Sequence, residues 1–202
     1  KVPTVFTLSR YPHRVTNQAL SVLLSLGLSI VPWTLGLPTD RAVGLEASVP
    51  VVRVSTSSLG SGGNESSLSV SAPMSADGRF VLFYSFASNL VPNDTNGVPD
   101  LFMKDTVRGT THRISVSSSG AQSDDYTGSQ ASVSSDGRFV AFSSSATNLV
   151  DGDTNSVSDV FVRDVVAGTT RRVSVGSTSE QGAAGSAVCV MSANGRYVAF
   201  VT

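Results

Sequence analysis

The sequence predicts an all-β protein built from repeated units of four short antiparallel strands. Charged residues make up only 14% of the chain, and Ser, Thr, Gly and Asn take their place, which suits strands joined by polar turns. Asp-Gly-Arg-Phe-Val at 77–81 recurs at 136–140 and, as Asn-Gly-Arg-Tyr-Val, at 194–198, so the period is nearly constant. Each copy contains four strand-like runs. Four strands repeated at a fixed period predict the blades of a β-propeller.

The register of the repeat extends well beyond this motif. Residues 75–118 align on 134–177 without a gap, and 27 of the 44 aligned positions are identical. The repeat therefore divides residues 48–202 into a lone outer strand at 51–56, a blade at 69–118, a blade at 130–177 and a half blade at 186–202.

Within the second unit the strands are expected in the following order. The first, at 131–134, ends at a Ser-Asp-Gly turn, since Gly adopts positive φ freely and Asp tolerates it. The second, at 138–143, is apolar on both faces, as in a strand covered by sheets on each side. The third, at 159–164, carries Phe161 at mid-strand to fill the space between sheets. The fourth is at 170–175, and a long connection at 143–158 accounts for the long period.

The two ends of the repeat region predict an incomplete ring of about 2.5 blades. Residues 51–55 match the fourth strand alone, and an outer strand placed first is a common way to close a propeller ring. The last unit reaches only its second strand. An open ring leaves unpaired strand edges, so we expect the chain to be a fragment whose missing blades follow Thr202.

The repeated motifs resemble a known family. Ser-x-Asp-Gly-Arg-Phe-Val-Ala-Phe, followed by Asp-Thr-Asn, Asp-Val-Phe-Val-Arg-Asp and Gly-Thr-Thr-x-Arg-Val-Ser-Val, is similar to the WD40-like repeat of TolB-like β-propellers. The resemblance covers residues 51–202. It implies a propeller, commonly six-bladed, in a bacterial periplasmic or secreted protein that binds or scaffolds. It also allows the non-catalytic half of a prolyl-oligopeptidase-like enzyme.

Residues 1–47 form a separate segment with the pattern of an export signal. Residues 1–14 carry basic side chains and no acid, and 19–37 are uncharged and largely apolar. A basic start, an apolar stretch and then small residues predict a secretory signal peptide. An uncleaved membrane anchor is the alternative, since the apolar stretch is close to the minimum length that spans a hydrocarbon core. Either interpretation places the repeats outside the cytoplasm, secreted or in the periplasm or envelope.

Several function classes find no support in the residues. The formal net charge is −1 and the arginines are spread singly, so no surface would bind nucleic acid. No Gly-x-Ser-x-Gly elbow occurs. His112 is the only histidine after the N-terminal segment, at an outer-strand position, and Cys189 lies in an apolar run typical of a small buried side chain. We therefore expect no enzyme, no zinc site and no internal disulfide.

One loop has the composition of a metal site. Asp151, Asp153, Asn155 and Asp159 place oxygen side chains at alternate positions with a further acid four residues on, a pattern that can hold Ca²⁺. The glycine and glutamate of an EF-hand loop are absent, and the preceding unit lacks the first acid. The same residues are also typical of a polar loop that caps its own turns. No other cofactor is expected.

The leading hypothesis is thus a non-enzymatic extracytoplasmic propeller that binds a protein, peptide or glycan through its loops. These loops include 120–128, where Tyr126 follows two acids, and 177–182. The alternative is a substrate-gating propeller of a peptidase whose catalytic domain lies outside this chain. A third hypothesis is a cell-wall or adhesion repeat.

Overall fold

The computed structural model describes residues 51–202, apart from the side chains of 188 and 189, and this part of the chain is all-β. Residues 1–47, predicted to be a signal peptide or anchor, and the side chain of Cys189 lie outside the described residues. The ten strands are β1 (Ser67–Met74), β2 (Phe80–Ser85), β3 (Asp100–Asp105), β4 (Thr111–Arg113), β5 (Thr127–Val133), β6 (Phe139–Ser144), β7 (Asp159–Asp164), β8 (Thr169–Arg172), β9 (Ala187–Met191) and β10 (Val198–Val201). None of the described residues forms a helix long and apolar enough to cross a membrane.

The strands form two complete blades and half of a third. β1-β2-β3-β4 is blade 1, β5-β6-β7-β8 is blade 2, and β9-β10 is half-blade 3. Every neighbouring pair is antiparallel. The predicted propeller blades and the number of strands in each are confirmed.

The Asp-Gly-Arg turn joins the first two strands of each blade. The Asp77 carboxylate accepts hydrogen bonds from the Ser75 hydroxyl at 2.6 Å and from the Arg79 N–H at 3.0 Å, while Gly78 has φ 72°. Blade 2 repeats this turn around Asp136. The turn therefore serves each blade, as its recurrence predicts.

An ion pair anchors the same turn to the third strand. Arg79 binds Asp105 at 2.8 Å, and Arg138 binds Asp164 at 2.9 Å. The Asp105 carboxylate also accepts the N–H groups of residues 107 and 108, both at 3.0 Å. These contacts, with the Arg79 hydrogen bond foremost, lower the pKa of Asp105 to about 2. Blade 2 repeats the caps as well, since the Asp164 carboxylate accepts the N–H groups of residues 166 and 167.

The two faces of the second strand pack against different neighbours. In β2, Leu82 and Tyr84 pack toward blade 2, whereas Phe83 packs on the opposite face with Val54. All six residues of β2 and all six of β3 are buried, which confirms that the second strand is covered on both sides. The interface core between blades 1 and 2 also contains Phe161 from β7.

Each third-strand phenylalanine stacks on the phenylalanine opposite it in the second strand. The ring centroids of Phe83 and Phe102 are 5.6 Å apart, and those of Phe142 and Phe161 are 5.8 Å apart. Both pairs are direct cross-strand neighbours. Such pairs stabilise a sheet beyond the area that they bury, so each blade is fastened at its centre by one aromatic stack.

The segment before each blade crosses to the outer strand of that blade. The Thr111 hydroxyl donates to the Thr56 carbonyl at 2.5 Å, and Thr170 donates to the Val116 carbonyl at the same distance. The Lys104 ammonium reaches the Thr56 carbonyl as well, at 3.3 Å. Residues 51–55, predicted as an outer strand, contribute one isolated bridge residue at Val52 and the buried Val54.

Candidate binding face at one end of the blades

One end of the blades carries the long loops. β1 and β3 begin there and β2 and β4 end there, and the strands of blade 2 repeat this arrangement. We call this the loop end, formed by residues 86–99, 114–126, 145–158 and 173–186. The opposite end carries the Asp-Gly-Arg turns. The differences between the two blades in aromatic and acidic residues are concentrated at the loop end, which makes it the candidate site.

A buried ion-pair cluster lies beneath the loop end of blade 1. Arg113 reaches Asp94 at 3.4 Å and Asp100 at 3.3 Å, and its side chain is only 7% exposed. The Ser115 hydroxyl donates to Asp100 at 2.5 Å, and the Asn96 amide donates to the same carboxyl group at 3.3 Å. One arginine thus serves two carboxylates and ties the loop to β3 and β4.

Blade 2 repeats the cluster with the residues predicted to bind calcium. Arg172 reaches Asp153 at 3.1 Å and Asp159 at 3.4 Å, and Asn155 donates to Asp159 at 3.2 Å. The structure therefore brings together three of the four predicted ligands. Asp151, the fourth, is exposed.

The positive charge at this cluster is a guanidinium. Within residues 51–202, no group of three or more His, Cys, Asp or Glu side chains converges as metal ligands would. A cation entering between Asp153 and Asp159 would have to displace Arg172 from them. The calcium site stays a prediction, and Arg172 would compete with the cation for the two carboxylates.

Burial dominates the electrostatics of these carboxyl groups. Burial raises the pKa of Asp94, Asp100 and Asp153 above its ordinary value, and Arg113 opposes the rise at the first two. The Nε atom of Arg113 lies within ion-pair distance of Asp100, but its N–H does not point at an acceptor. Such clusters depend on the cation, because a buried carboxylate without it loses hydration with no compensation.

A group of aromatic side chains distinguishes the loop end of blade 1 from that of blade 2. Tyr84 lies with its ring centroid 5.6 Å from Phe86 and 5.5 Å from Tyr126. Phe86 and Tyr126 are 49% and 47% exposed, whereas Tyr84 is 1% exposed. We call these three residues the aromatic cluster. It presents two half-exposed rings supported by a buried one.

The aromatic cluster is not repeated. At the equivalent positions of the repeat, blade 2 has Ser143 and Ser145 in place of Tyr84 and Phe86. Residues that recur in each blade are explained by the blade, so a departure of this size needs another explanation. Aligning the two units reveals that Tyr84 and Phe86 are replaced by serine in blade 2. The sequence analysis singled out only Tyr126, as a loop residue.

The backbone around the aromatic cluster is firmly placed. The Phe86 N–H donates to the Ser66 carbonyl at 3.0 Å, and the Ser145 N–H donates to the Tyr126 carbonyl at 2.9 Å. The Tyr84 hydroxyl is buried with no hydrogen-bond partner among the described residues. Burial, followed by the neighbouring Tyr126, raises the pKa of Tyr84. The backbone that carries the two exposed rings is therefore hydrogen-bonded to neighbouring segments.

The other predicted residues lie away from this cluster. His112 is exposed on β4, as expected for an outer strand. The loop at 177–182 lies at the loop end of blade 2, where the Glu180 carboxylate accepts the N–H of Thr178 at 3.1 Å.

Several solved structures are similar to this chain. The chain is similar to the crystal structure of TolB from Acinetobacter baumannii, at 17% sequence identity and a TM-score of 0.39. The match covers 71% of this chain and 28% of the TolB chain, so the chain spans less than a third of that protein. No family model matches the sequence, and no curated protein matches it.

Proposed function

We propose that this chain is part of a non-enzymatic, extracytoplasmic β-propeller that binds a protein, peptide or glycan at the loop end of its blades. The observation that carries the proposal is the aromatic cluster. Phe86 and Tyr126 expose about half of each ring, and neither has an aromatic counterpart in the other described unit. Loops on a rigid scaffold are where binding residues concentrate.

The chemistry of the aromatic cluster suits ligands with flat or apolar faces. Exposed aromatic rings supply large contact area at a low cost in side-chain entropy, and tyrosine adds a hydroxyl for a polar contact. Asp124 and Asp125 precede Tyr126. Hydroxyl-rich sugars and peptides with proline or basic residues offer complementary groups. The basic and then apolar order of residues 1–47 supports the location.

The proposal is tested by screening ligand libraries for binding to the full chain. Glycan arrays and displayed peptide libraries are screened in parallel, and each ligand found is measured against the double variant Phe86→Ala, Tyr126→Ala. We expect affinity to fall at least about 10-fold, as at the aromatic centres of other interfaces. The matched control is Val107→Ser, Val166→Ser, which changes two residues 75% and 77% exposed near the opposite end.

The outcomes separate the proposal from its rivals. Ligands that bind both double variants equally would refute the aromatic cluster as the site. Turnover of peptides in the same library would favour the substrate-gating alternative, which stays a prediction. Unchanged melting temperatures for both variants are the check that any loss of binding is local.

A further inference from the structure

The aromatic cluster lies where the two complete four-stranded blades meet. The Ser66 carbonyl accepts the Phe86 N–H at 3.0 Å, and at the same place in blade 2 the Tyr126 carbonyl accepts the Ser145 N–H at 2.9 Å. The two exposed rings therefore come from opposite members of the same backbone pair in neighbouring blades. Tyr84 contacts both rings, with centroid distances of 5.6 and 5.5 Å, so the pair positions of two blades form one surface.

An exposed acid stands directly before each of these pairs. Glu65 and Asp125 hold equivalent positions in the two blades, and both are exposed. The Asp125 carboxylate accepts the Tyr126 N–H at 2.6 Å, whereas Asp124 accepts the N–H and the hydroxyl of Thr147 at 2.9 and 2.8 Å. No ion pair among residues 51–202 includes Glu65 or Asp125. Their charges are thus open to a ligand.

The cations beneath the loop end do not neutralise these two acids. The side chains of Arg113 and Arg172 are 7% and 10% exposed, and each is held by the carboxylates of its own buried cluster. Arg53, which precedes blade 1, donates to the Ser55 hydroxyl at 3.1 Å. The charge exposed beside the two rings is therefore negative, which favours a cationic ligand.

The aromatic cluster also contains a hydrogen-bond acceptor that is not used. The Tyr84 hydroxyl is buried and has no partner among the described residues. Burial first, and then the neighbouring Tyr126, raise the pKa of Tyr84, so the hydroxyl lies toward Tyr126. A buried polar group without a partner costs free energy. A ligand N–H group that enters beside Tyr126 would find this acceptor free.

We infer that the aromatic cluster, together with Glu65 and Asp125, binds an arginine side chain in a peptide segment of a partner protein. This inference rests on the proposed function and narrows its ligand to a cationic peptide. A guanidinium group is planar and stacks on aromatic faces, and its several N–H donors suit carboxylates and a hydroxyl. An ammonium group has no planar face, and a neutral glycan has no charge.

The test uses the full chain and two synthetic peptide libraries. Both contain short peptides of random uncharged residues around a fixed central residue, which is arginine in one library and its uncharged isostere citrulline in the other. Retained peptides are identified by mass spectrometry, and their affinities are measured by fluorescence anisotropy at low and at physiological ionic strength. We expect the best arginine peptides to bind at least about 10-fold more tightly than their citrulline counterparts, and more weakly as salt is added.

Protein variants assign the contribution of each group. The double variant Phe86→Ala, Tyr126→Ala is expected to weaken the arginine peptide at least about 10-fold, and Glu65→Gln, Asp125→Asn about 3- to 10-fold with a smaller salt dependence. Tyr126→Leu is expected to lose about 2- to 5-fold and Tyr126→Phe to retain the affinity, because an aromatic ring attracts a cation. Asp151→Asn, which changes an exposed acid of blade 2, is the matched control and is expected to leave the affinity unchanged.

Several results would overturn the inference. They are equal affinity for the arginine and citrulline peptides, the absence of binding, and arginine-peptide binding that survives Phe86→Ala, Tyr126→Ala. A glycan or an uncharged peptide that binds in a ring-dependent way, without any preference for arginine, would overturn this inference and leave the proposed function standing. Unchanged melting temperatures for all variants are the check that each loss of affinity is local.

Discussion

Removing the cation of the buried cluster in blade 1 gives a quantitative test of how the loop end is held. Arg113→Met keeps most of the side-chain volume and removes the guanidinium that lies 3.4 Å from Asp94 and 3.3 Å from Asp100. The arginine side chain is 7% exposed and the Asp100 side chain 1%. Breaking such a pair leaves an uncompensated buried charge and costs about 3–5 kcal/mol in the free energy of unfolding.

The pH dependence separates charge from packing. Burial raises the pKa of Asp94 and Asp100 in the folded chain, and loss of Arg113 raises it further. A carboxyl group whose pKa is raised by folding favours the folded state below its unfolded pKa, and this contribution is lost as pH rises through the folded value. The destabilisation by Arg113→Met is therefore expected to be large at pH 7 and clearly smaller near pH 4.

The assay is urea denaturation followed by far-UV circular dichroism at both pH values. Arg108→Met is the matched control, because its guanidinium is 3.8 Å from Asp105 and its side chain is 72% exposed; we expect a change below about 0.5 kcal/mol. Adding Asp100→Asn to Arg113→Met is expected to recover part of the loss at pH 7. Equal destabilisation at pH 4 and pH 7 would refute the electrostatic reasoning and leave packing as the cause.

The remaining predictions concern a turn, the acid limb and the metal. Gly137→Ala is expected to lower the free energy of unfolding by about 2–4 kcal/mol, because φ is 72° and the new Cβ would lie 2.5 Å from the Phe80 ring of blade 1. Gly97→Ala is the control with φ 69° and open space, and urea denaturation is expected to show a loss of about 1–2 kcal/mol. Asp105 has a pKa of about 2 in the folded chain, so its ionised form stabilises the fold above pH 4, and this stabilisation is lost as the pH falls through 2. Asp105→Asn is therefore expected to make the free energy of unfolding less dependent on pH between pH 4 and pH 2. If calcium binds in blade 2, it is expected to raise the melting temperature more in Arg172→Met than in the unaltered chain, because the competing guanidinium is gone. Adding Asp159→Asn is expected to abolish the gain. No gain in the unaltered chain or in Arg172→Met would end the calcium hypothesis.

The strands could be predicted because their signals are local and duplicated. The third strand matches its predicted bounds, 159–164, and the second differs by one residue at each end. The first strand was expected at 131–134 and is found at Thr127–Val133, with an irregular register between Thr127 and Ala131. The outer strand also differs. It was expected at 170–175 and is found at Thr169–Arg172, because the Ser174 hydroxyl donates to Asp159 and the Val160 N–H donates to Ser174. The Ser174 side chain thus makes hydrogen bonds with β7 where backbone pairing between strands was expected.

The cation of the loop-end clusters could not be predicted from the loop alone. Asp153 and Asp159 were interpreted as ligands for calcium because their spacing suits it, whereas Arg172 lies well outside the loop, on the outer strand. Only the antiparallel pairing of β7 with β8 brings that arginine back to the loop. The positive charge comes from Arg172, which is outside the loop, so the spacing of residues within the loop could not predict it.

The repeat by itself determined the blade, its four strands, its turns and its arginine–carboxylate pairs, because each follows from local sequence repeated in register. Tertiary structure alone decided what fills the space between blades. Packing places Tyr126 of the second unit against Tyr84 of the first, beside Phe86, and it brings Phe161 of blade 2 into one core with Leu82 and Met103 of blade 1. Contacts between units depend on how sheets stack, and stacking is a property of the whole assembly.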